Sequence, residues 1–304
     1  MAVVNKPNFF IVGAPKCGTT ALYSYLAQHP DIFMPSLKEP QFFADDVLGS
    51  LRAVRTMEDY LNCFADAKAG QTIGEASVAY LGSDSALRGI KAFNPAAEII
   101  VMLRNPIDVM YSEYSGRIYD TREPSIPFEE ALEAEDSGRL SPWRCQGDLV
   151  LGLGLRQTVR FVDQVRAYFE VFGRGHVHVI IYEDLLQDTA RVYAEVLRVL
   201  RVRGVFQPRF KVVNGNKRVR NTSLQKFIVR PPHLARRFAR LTIPQPLRRF
   251  VGESLLRLNA PFEPRPPMNR SLRRSLQQQL EQDVLALSTL LDRDLSHWVR
   301  DGIL

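Results

Sequence analysis

Short apolar runs alternate along the chain with longer segments in which apolar positions recur every three or four residues. Four of the runs have the length and composition of β-strands: residues 9–12, 72–73, 99–103 and 177–182. Five segments show helical periodicity: residues 19–28, 107–118, 128–135, 154–172 and 189–202. This alternation is typical of a parallel sheet with helices on both faces, so the pattern predicts an α/β fold.

The chain changes character after residue 228. Prolines repeatedly interrupt a basic stretch at residues 229–268, which predicts short helices and turns. Beyond Asn269, apolar residues at intervals of three or four predict a long amphipathic helix: Leu276, Leu280, Val284, Leu287 and Leu291. We therefore expect a single domain with an α/β core (residues 1–228), a basic proline-rich extension (229–268) and a C-terminal helix that docks on the core (269–304).

The composition fits a globular protein with a large core, because 45% of the 304 residues are hydrophobic. The three cysteines and five histidines show no C-x-x-C or H-x-x-x-H spacing, so we expect a reducing compartment and no metal. Residues 1–6 leave no room for a secretory signal before the first strand, and no apolar run approaches the roughly 20 residues of a membrane span. Together these features predict a cytoplasmic protein.

The charge balance favours anionic ligands. The formal net charge is +7 and the pI is about 9.4. Charge alone does not distinguish among nucleic acid, an acidic membrane and a small phosphorylated cofactor. The basic stretch at residues 230–250 lacks a recognisable nucleic-acid module, so we expect no nucleic-acid partner and at most a weak contact with a membrane surface or an anionic acceptor.

The run GAPKCGTT at residues 13–20 lies between the first strand and the first helix. Its glycines allow backbone N–H groups to turn inward, the helix start offers further amides, and Lys16 adds a full charge. The run has the glycine spacing of a Walker A loop, but Thr19 occupies the lysine position. The alternative is a tight turn that merely joins a strand to a helix. The agreement of position, spacing and flanking elements favours an anion site.

A second candidate anchor follows the strand that ends at Leu103. Arg104 comes at its carboxyl end, Asn105 and Pro106 suit a helix start, and Ser112 lies two turns into that helix. Ligands bind at this edge of doubly wound sheets, and a guanidinium fork suits a phosphate. The alternative is an arginine paired with a structural carboxylate. A magnesium-dependent nucleotidase would more often carry a Walker B aspartate at such a position.

Several motifs occur together in one order: PKCGTT (15–20) followed by His29-Pro30, KEP (38–40) with Phe42-Phe43, GEAS (74–77) with Tyr80, RNP (104–106) followed by Tyr111, Ser112 and Tyr114, YEDL (182–185), and residues 214–223. In this combination the chain resembles sulfotransferases that use 3′-phosphoadenosine 5′-phosphosulfate (PAPS). The resemblance is closest to the bacterial and heparan-sulfate-type branches and extends over residues 8 to 225.

The resemblance implies a P-loop-like fold and a set of cofactor contacts. Lys16 and the loop amides would hold the 5′-phosphosulfate, and Arg104 with Ser112 would bind the 3′-phosphate. A basic segment is expected over the 3′-phosphate and adenine, and there we choose Arg218 and Arg220 although the family's lysine-glycine-arginine pattern is absent. The expected cofactor-binding residues are Pro15, Lys16, Cys17, Gly18, Thr19, Thr20, Arg104, Ser112, Arg218 and Arg220.

The resemblance also implies a catalytic group, because Glu75 occupies the position that heparan-sulfate-type enzymes use as general base. Its alternative role is an ion pair with Lys38 or Lys16. His29 is the second candidate base, although a His-Pro pair after a helix is more often a helix terminus. Lys38 faces the transferring group or lies in a solvent-exposed turn. We expect Lys16, Glu75 and Lys38 to be catalytic and YEDL to be structural.

Two departures from the family concern the acceptor side. Leu155 stands where many relatives have an aromatic residue, and Asp188 is followed by Thr189 where they have proline. The predicted reaction is in-line sulfuryl transfer from PAPS to a hydroxyl or amine, leaving adenosine 3′,5′-bisphosphate, with a small-molecule, carbohydrate or lipid acceptor. The alternatives are a P-loop kinase acting on a small metabolite and a non-enzymatic binder of nucleic acid or membrane.

Overall fold

The computed structural model describes the following residues, to which all structural statements below refer: 5–119, 126–138, 144–145, 148–149, 154–204, 206–211, 221, 228, 254–255, 259 and 265–300. The expected cofactor residues Arg218 and Arg220, and the basic stretch 230–250, lie outside the described residues.

A parallel sheet of five strands forms the centre of the molecule, in the order β2-β3-β1-β4-β7. A separate antiparallel pair is formed by β5 and β6. The strands are β1 (Phe9–Gly13), β2 (Ile32–Phe33), β3 (Thr72–Ala76), β4 (Glu98–Leu103), β5 (Arg144–Cys145), β6 (Asp148–Leu149) and β7 (Val177–Ile181). The central position of β1 places its carboxyl end, and the loop that follows, between the ends of β3 and β4.

Both faces of the sheet are covered. Every residue of β1 is buried, and so is every residue of β4 after Glu98. Because successive side chains of a strand point to opposite faces, continuous burial requires helices on both sides. The α/β fold predicted from the sequence is confirmed.

The helices surround this sheet. They are α1 (Thr19–Leu26), α2 (Asp45–Leu48), α3 (Met57–Asn62), α4 (Asp84–Phe93), α5 (Pro106–Tyr119), α6 (Phe128–Asp136), α7 (Leu155–Thr158), α8 (Phe161–Phe172), α9 (Tyr182–Gln187), α10 (Thr189–Val199) and α11 (Arg270–Leu291). Asn105 Oδ1 accepts a hydrogen bond from Ile107 N, and Asp188 Oδ1 accepts one from Arg191 N. These side chains therefore stabilise the starts of α5 and α10, and the sequence analysis predicts the first of them.

The predicted helix over residues 154–172 is wrong as a single element, because the chain leaves helical geometry at Val159 and Arg160 and forms α7 and α8. Thr158 Oγ1 donates to the carbonyl of Gly154, a local bond of the kind that often bends helices. The predicted strand over 177–182 is one residue too long, since Tyr182 begins α9. Strands β2, β5 and β6 and helices α2, α3, α4 and α9 were not predicted.

The C-terminal helix lies against the core. Leu276, Leu280, Val284 and Leu287 of α11 are buried, and α11 contacts α5 and α8. Trp298 is buried beyond the helix, and its carbonyl accepts a hydrogen bond from Asn105 Nδ2. The boundaries of the three predicted segments stay a prediction. No described helix combines the length and the hydropathy that a membrane span requires.

Candidate functional site

The loop after β1 has the backbone geometry of an anion site. Gly18 immediately precedes α1 with φ of 89°, and Lys16 has φ of 63°. The amides at the first turn of a helix have no intrahelical acceptor, so those of Gly18, Thr19 and Thr20 are available to a ligand at the positive end of the α1 dipole. An L side chain rarely adopts the φ of Gly18, which explains why glycine occupies this position.

Tyr182 lies between this loop and Arg104. A Cβ atom placed on Gly18 would lie 3.0 Å from the Tyr182 ring. The Arg104 guanidinium carbon is 4.8 Å from the centroid of the same ring, which is cation–π distance. One aromatic side chain therefore contacts both expected anchors. The interpretation of YEDL as purely structural missed this contact.

Lys16 reaches from the loop towards α5. Its Nζ is 3.8 Å from Glu113 Oε2, and Glu113 Oε1 accepts a hydrogen bond of 3.0 Å from Arg117 Nε. A Cβ atom on Gly116 would lie 2.5 Å from Lys16 Nζ, so the small residue leaves room for the ammonium group. Glu113, which the sequence analysis did not single out, therefore helps to place the Lys16 charge beside the loop.

Cys17 and Thr19 are buried within the loop. Burial raises the pKa of the Cys17 thiol far above its ordinary value, and the thiol donates to the Pro15 carbonyl at 3.3 Å. A buried thiol of this kind is not a nucleophile. These two residues can contribute backbone amides to a ligand, and the side chain of Cys17 belongs to the hydrophobic core.

The second anchor is a cluster of arginine side chains around Asp108 and Ser112 of α5. Arg104 Nη2 lies 3.9 Å from Asp108 Oδ2, and Arg273 Nη1 lies 3.1 Å from Asp108 Oδ1. Ser112 is buried, and its Oγ accepts a hydrogen bond of 2.8 Å from Arg265 Nη2. Arg265 therefore contacts Ser112 and lies within the electrostatic influence of Arg104, and the assignment of Arg104 and Ser112 to a phosphate stays a prediction.

Arg265 could not be found from a sequence pattern, because it lies 153 residues after Ser112 in the proline-rich stretch. Its guanidinium carbon is 5.8 Å from the centroid of the Tyr111 ring. Burial lowers the pKa of Arg265, the neighbouring Arg104 charge lowers it further, and Asp108 acts in the opposite direction. Arg265 therefore contacts the Ser112 hydroxyl and also lies within the electrostatic influence of Arg104.

Glu75 is fully buried in β3. Tyr60 and Tyr80 donate hydrogen bonds of 2.6 and 3.2 Å to its Oε2, whereas its Oε1 accepts no hydrogen bond of ordinary geometry. Burial raises the pKa of Glu75 from 4.5 to about 7, although hydrogen bonding from Ser77 and the two tyrosines opposes the rise. A carboxylate with this pKa is suited to proton transfer near neutral pH.

The ion pair of Glu75 with Lys38 or Lys16, the alternative to a role as general base, is not formed. Lys38 Nζ instead contacts Glu39 Oε1, and Lys16 is held near Glu113. The side chain of Lys38 is only 18% exposed, so it is not a solvent-exposed loop lysine.

The loop that carries Lys38 is attached to the carboxyl end of β3. Glu39 N donates to the Ala76 carbonyl and Gln41 N to Ser77 Oγ, each at 3.0 Å. The structure therefore places the expected catalytic lysine on a loop beside the strand that carries Glu75.

His29 lies away from the loop, past the far end of α1, a helix whose eight residues span about 12 Å. Its Nδ1 accepts a hydrogen bond from Asp31 N at 3.1 Å, and its ring packs edge-on against Phe206. Burial lowers the pKa of this histidine. Its position is that of a helix terminus and not of a base at the anion site.

The sequence predicts that the candidate site needs no metal ion. Within the ranges that the structure describes, no group of three or more histidine, cysteine, aspartate or glutamate side chains is arranged to hold a metal ion.

A protein-family model described as "Sulfotransferase domain" matches residues 6–229. The matched range contains the loop, Glu75, Arg104 and Ser112, and it ends before Arg265.

Named relatives are similar over parts of the chain. Carbohydrate sulfotransferase 15 of Rattus norvegicus is 34% identical over 149 residues, which cover 36% of this chain and 27% of the rat protein. Bifunctional heparan sulfate N-deacetylase/N-sulfotransferase 4 of Mus musculus is 34% identical over 210 residues, which cover 64% of this chain and 22% of the mouse protein. This chain therefore matches only a small part of each relative's length.

A solved structure is similar over nearly the whole chain. The sulfotransferase from Alicyclobacillus acidocaldarius shows 29% sequence identity and a TM-score of 0.72, and the comparison covers 98% of this chain and 100% of that one. The likeness therefore extends beyond the matched family domain to the C-terminal helix.

Proposed function

Because this chain belongs to the sulfotransferase family, we propose that it moves a sulfuryl group from PAPS to a hydroxyl or amine acceptor. The observation that carries the proposal is the arrangement of two separate cationic sites that contact one ring, Tyr182. PAPS has two separate anionic groups, the 5′-phosphosulfate and the 3′-phosphate. A nucleoside triphosphate carries its charge in a single chain and would use only the first site.

The loop site suits the phosphosulfate. Lys16 and the amides of Gly18, Thr19 and Thr20 present one full charge and several donors to the bridging and terminal oxygens. A sulfuryl group carries less negative charge than a terminal phosphoryl group. Lysine and oriented amides can therefore perform the stabilisation for which phosphoryl transfer recruits magnesium.

The reaction is a single displacement. The acceptor oxygen or nitrogen forms a bond to sulfur while the bond between sulfur and the 5′-phosphate oxygen breaks, and adenosine 3′,5′-bisphosphate leaves. Lys16 stabilises the charge that develops on the leaving phosphate, and Lys38 lies on a loop from which it can contact the transferring group. The acceptor proton passes to the Glu75 carboxylate.

Because Glu75 is buried, the transfer of the acceptor proton requires a route to its carboxylate. A general base must lie about 2.6–3.2 Å from the proton-bearing atom, or reach it through one water. Glu75 has no exposed surface, and its Oε2 is held by Tyr60 and Tyr80. We assign the proton-accepting role to Oε1, which reaches the acceptor through a side-chain rotation or a single water.

The acceptor is a small molecule, a carbohydrate or a lipid. We propose a carbohydrate hydroxyl or amine as the first candidate among these classes, because the names of the rat and mouse relatives refer to carbohydrate and heparan sulfate. We further propose that the basic stretch 230–250 contacts an anionic acceptor or a membrane surface, that nucleic acid is not a ligand, and that the protein acts in the cytoplasm.

Calorimetry with adenosine 3′,5′-bisphosphate tests the cofactor assignment. We expect binding without added divalent cation, and much weaker binding of ATP with or without magnesium. Absence of bisphosphate binding would overturn the proposal, and magnesium-dependent ATP consumption would overturn it in favour of a kinase. A screen of phenol, sugar, amine and lipid acceptors with sulfur-labelled PAPS then identifies the acceptor class.

A further inference from the structure

Exposed apolar side chains are concentrated on the connection between β2 and β3, which also carries Lys38. Among the residues that the structure describes, six large apolar side chains are exposed, and three of them belong to this connection: Leu37 at 42%, Leu51 at 39% and Met57 at 43%. Single exposed leucines are ordinary on protein surfaces, whereas a concentration of them beside a site indicates a binding surface. We refer to these three side chains as the apolar rim.

The apolar rim borders the loop that carries Lys38. Leu37 directly precedes Lys38. Leu51 directly precedes Arg52, whose Nη1 donates to the Phe42 carbonyl at 2.7 Å. The chain on both sides of this loop is therefore attached to it and presents an apolar side chain to solvent.

Met57 connects the apolar rim to the buried carboxyl group. It lies one turn before Tyr60 on α3, so the two side chains are neighbours on the helix. The Tyr60 ring stacks on the Phe42 ring with centroids 4.7 Å apart, and the Tyr60 hydroxyl donates to Glu75 Oε2 at 2.6 Å. Apolar contacts therefore lead from the rim, through two aromatic rings, to the residue assigned as general base.

The charged residues of the same connection do not favour a polyanionic acceptor. Residues 37–63 contain three basic and five acidic residues. Lys38 Nζ contacts Glu39 Oε1, and the guanidinium groups of Arg52 and Arg55 donate to backbone carbonyls of their own segment. A surface that attracts a polyanion carries an excess of positive charge, whereas this one is net negative and its cations already have acceptors.

We propose that the acceptor carries an uncharged alkyl or aryl group next to the hydroxyl or amine that receives the sulfuryl group, and that the apolar rim binds this group. The inference rests on the proposed function and narrows its acceptor. A carbohydrate acceptor is then a glycoside with an apolar aglycone, and a polyanionic glycan is not a substrate. Of the two contacts proposed for the basic stretch 230–250, such an amphipathic acceptor favours the membrane surface.

Paired acceptors that differ only in their apolar group test the proposal. Sulfuryl transfer from sulfur-labelled PAPS is measured with the methyl and octyl forms of a β-glucoside, a β-galactoside and a β-glucosaminide, all below micelle-forming concentrations. Heparosan, an uncapped chain rich in uronic acid, is the polyanionic probe. The variants are Leu51→Gln and Met57→Gln. Leu285→Gln is the matched control, because Leu285 is exposed to a similar extent, 37%, but lies on α11.

For the sugar that is sulfated, we expect kcat/KM of the octyl form to exceed that of the methyl form roughly 10- to 100-fold, because each buried methylene contributes about a factor of four. Leu51→Gln and Met57→Gln should each lower kcat/KM of the octyl form roughly 3- to 10-fold. They should leave kcat/KM of the methyl form and the affinity for adenosine 3′,5′-bisphosphate unchanged. Leu285→Gln should change none of these quantities.

Four results would overturn the inference: equal kcat/KM for the methyl and octyl forms, preference for heparosan, sulfation of none of the octyl compounds, or an equal loss for both forms in the two rim variants. Calorimetry with adenosine 3′,5′-bisphosphate separates these results from failure of the proposed function. If the unaltered chain binds the bisphosphate, only the assignment of the acceptor falls. If it does not, the proposed function falls together with this inference.

Discussion

Tyr60 donates a hydrogen bond of 2.6 Å to Glu75 Oε2 across a fully buried contact between α3 and β3. Tyr80 donates to the same oxygen at 3.2 Å. Two phenols stabilise the carboxylate form, whereas burial stabilises the neutral acid. Burial dominates and raises the pKa of Glu75 from 4.5 to about 7. The carboxyl group is therefore half ionised near neutral pH.

Glu75→Gln should reduce turnover by about 10²–10⁴-fold, the usual contribution of a general base, and should leave binding of adenosine 3′,5′-bisphosphate unchanged. In the unaltered chain, kcat should rise with pH through a midpoint near 7, because only the ionised carboxylate accepts a proton. Steady-state kinetics and calorimetry measure the two effects. Near-normal turnover of the variant would exclude Glu75 as the base.

The same carboxyl group should make stability depend on pH. The unfolded chain releases this proton near pH 4.5 and the folded chain near pH 7, so between these values the folded state binds more protons. Stability therefore falls as pH rises through this window, by about 3 kcal/mol, and levels off above it. Denaturant titrations at pH 5 and pH 8 should show this fall relative to Glu75→Gln. If the difference in unfolding free energy between the unaltered chain and Glu75→Gln is the same at both pH values, the raised pKa of Glu75 is contradicted.

Tyr60→Phe removes the shorter of the two hydrogen bonds to Glu75. The carboxylate loses a donor, so its pKa should rise and the midpoint of the kcat–pH profile should move upward by about one pH unit. Tyr168→Phe is the matched control, because Tyr168 is equally buried but donates to the Tyr80 carbonyl. The midpoint of the kcat–pH profile of Tyr168→Phe should not move. A shift of the same size in both variants would indicate a general effect of core disruption.

Strands β1, β3, β4 and β7 and the loop after β1 could be predicted because they depend on local patterns. The run at residues 13–20 combines glycine spacing, a preceding apolar run and a following helix, all within a short stretch of sequence. The kink at Val159 and Arg160 was not predicted, because the apolar periodicity continues through it while the backbone does not. Apolar periodicity indicates which face of a helix is buried, but it does not indicate where the helix is interrupted.

The contacts of the site with distant residues could not be predicted. Arg265 and Ser112 are 153 residues apart, and only the docking of the segment before α11 on α5 brings them together. The environment of Glu75 was likewise hidden, because Tyr60 lies on a helix that the pattern did not indicate. Sequence identified residues by type and local context, whereas their partners depend on the fold.

Lys16→Met should lower kcat by about 10²–10³-fold, the usual cost of removing a donor that stabilises developing charge. The loss should exceed the loss of bisphosphate affinity, because the charge on the leaving phosphate grows in the transition state. Lys68→Met removes an exposed lysine from a loop between α3 and β3 and serves as control. Equal loss of kcat in the two variants would contradict a specific role for Lys16.

The close contact between Gly18 and Tyr182 leads to a last prediction. It distinguishes the effect of backbone strain on stability from the effect of a changed site on ligand binding. Gly18 and Gly173 both have positive φ, 89° and 82°. An alanine Cβ at Gly18 would lie 3.0 Å from the Tyr182 ring, whereas at Gly173 it would meet nothing within 4 Å. Both alanine variants should lose stability from backbone strain, and Gly173→Ala should lose at least as much as Gly18→Ala, because the ψ of Gly173 is 147° at positive φ whereas the ψ of Gly18 is 7°.

Only Gly18→Ala should also lose binding of adenosine 3′,5′-bisphosphate, because the new methyl group displaces Tyr182, which contacts Arg104. Calorimetry and thermal unfolding of the two variants give the comparison. If both bind the bisphosphate equally well, Tyr182 does not couple the two anchors. If Gly18→Ala alone fails to bind although it is no less stable than Gly173→Ala, the loss belongs to the site, because backbone strain at least as large at Gly173 leaves binding intact.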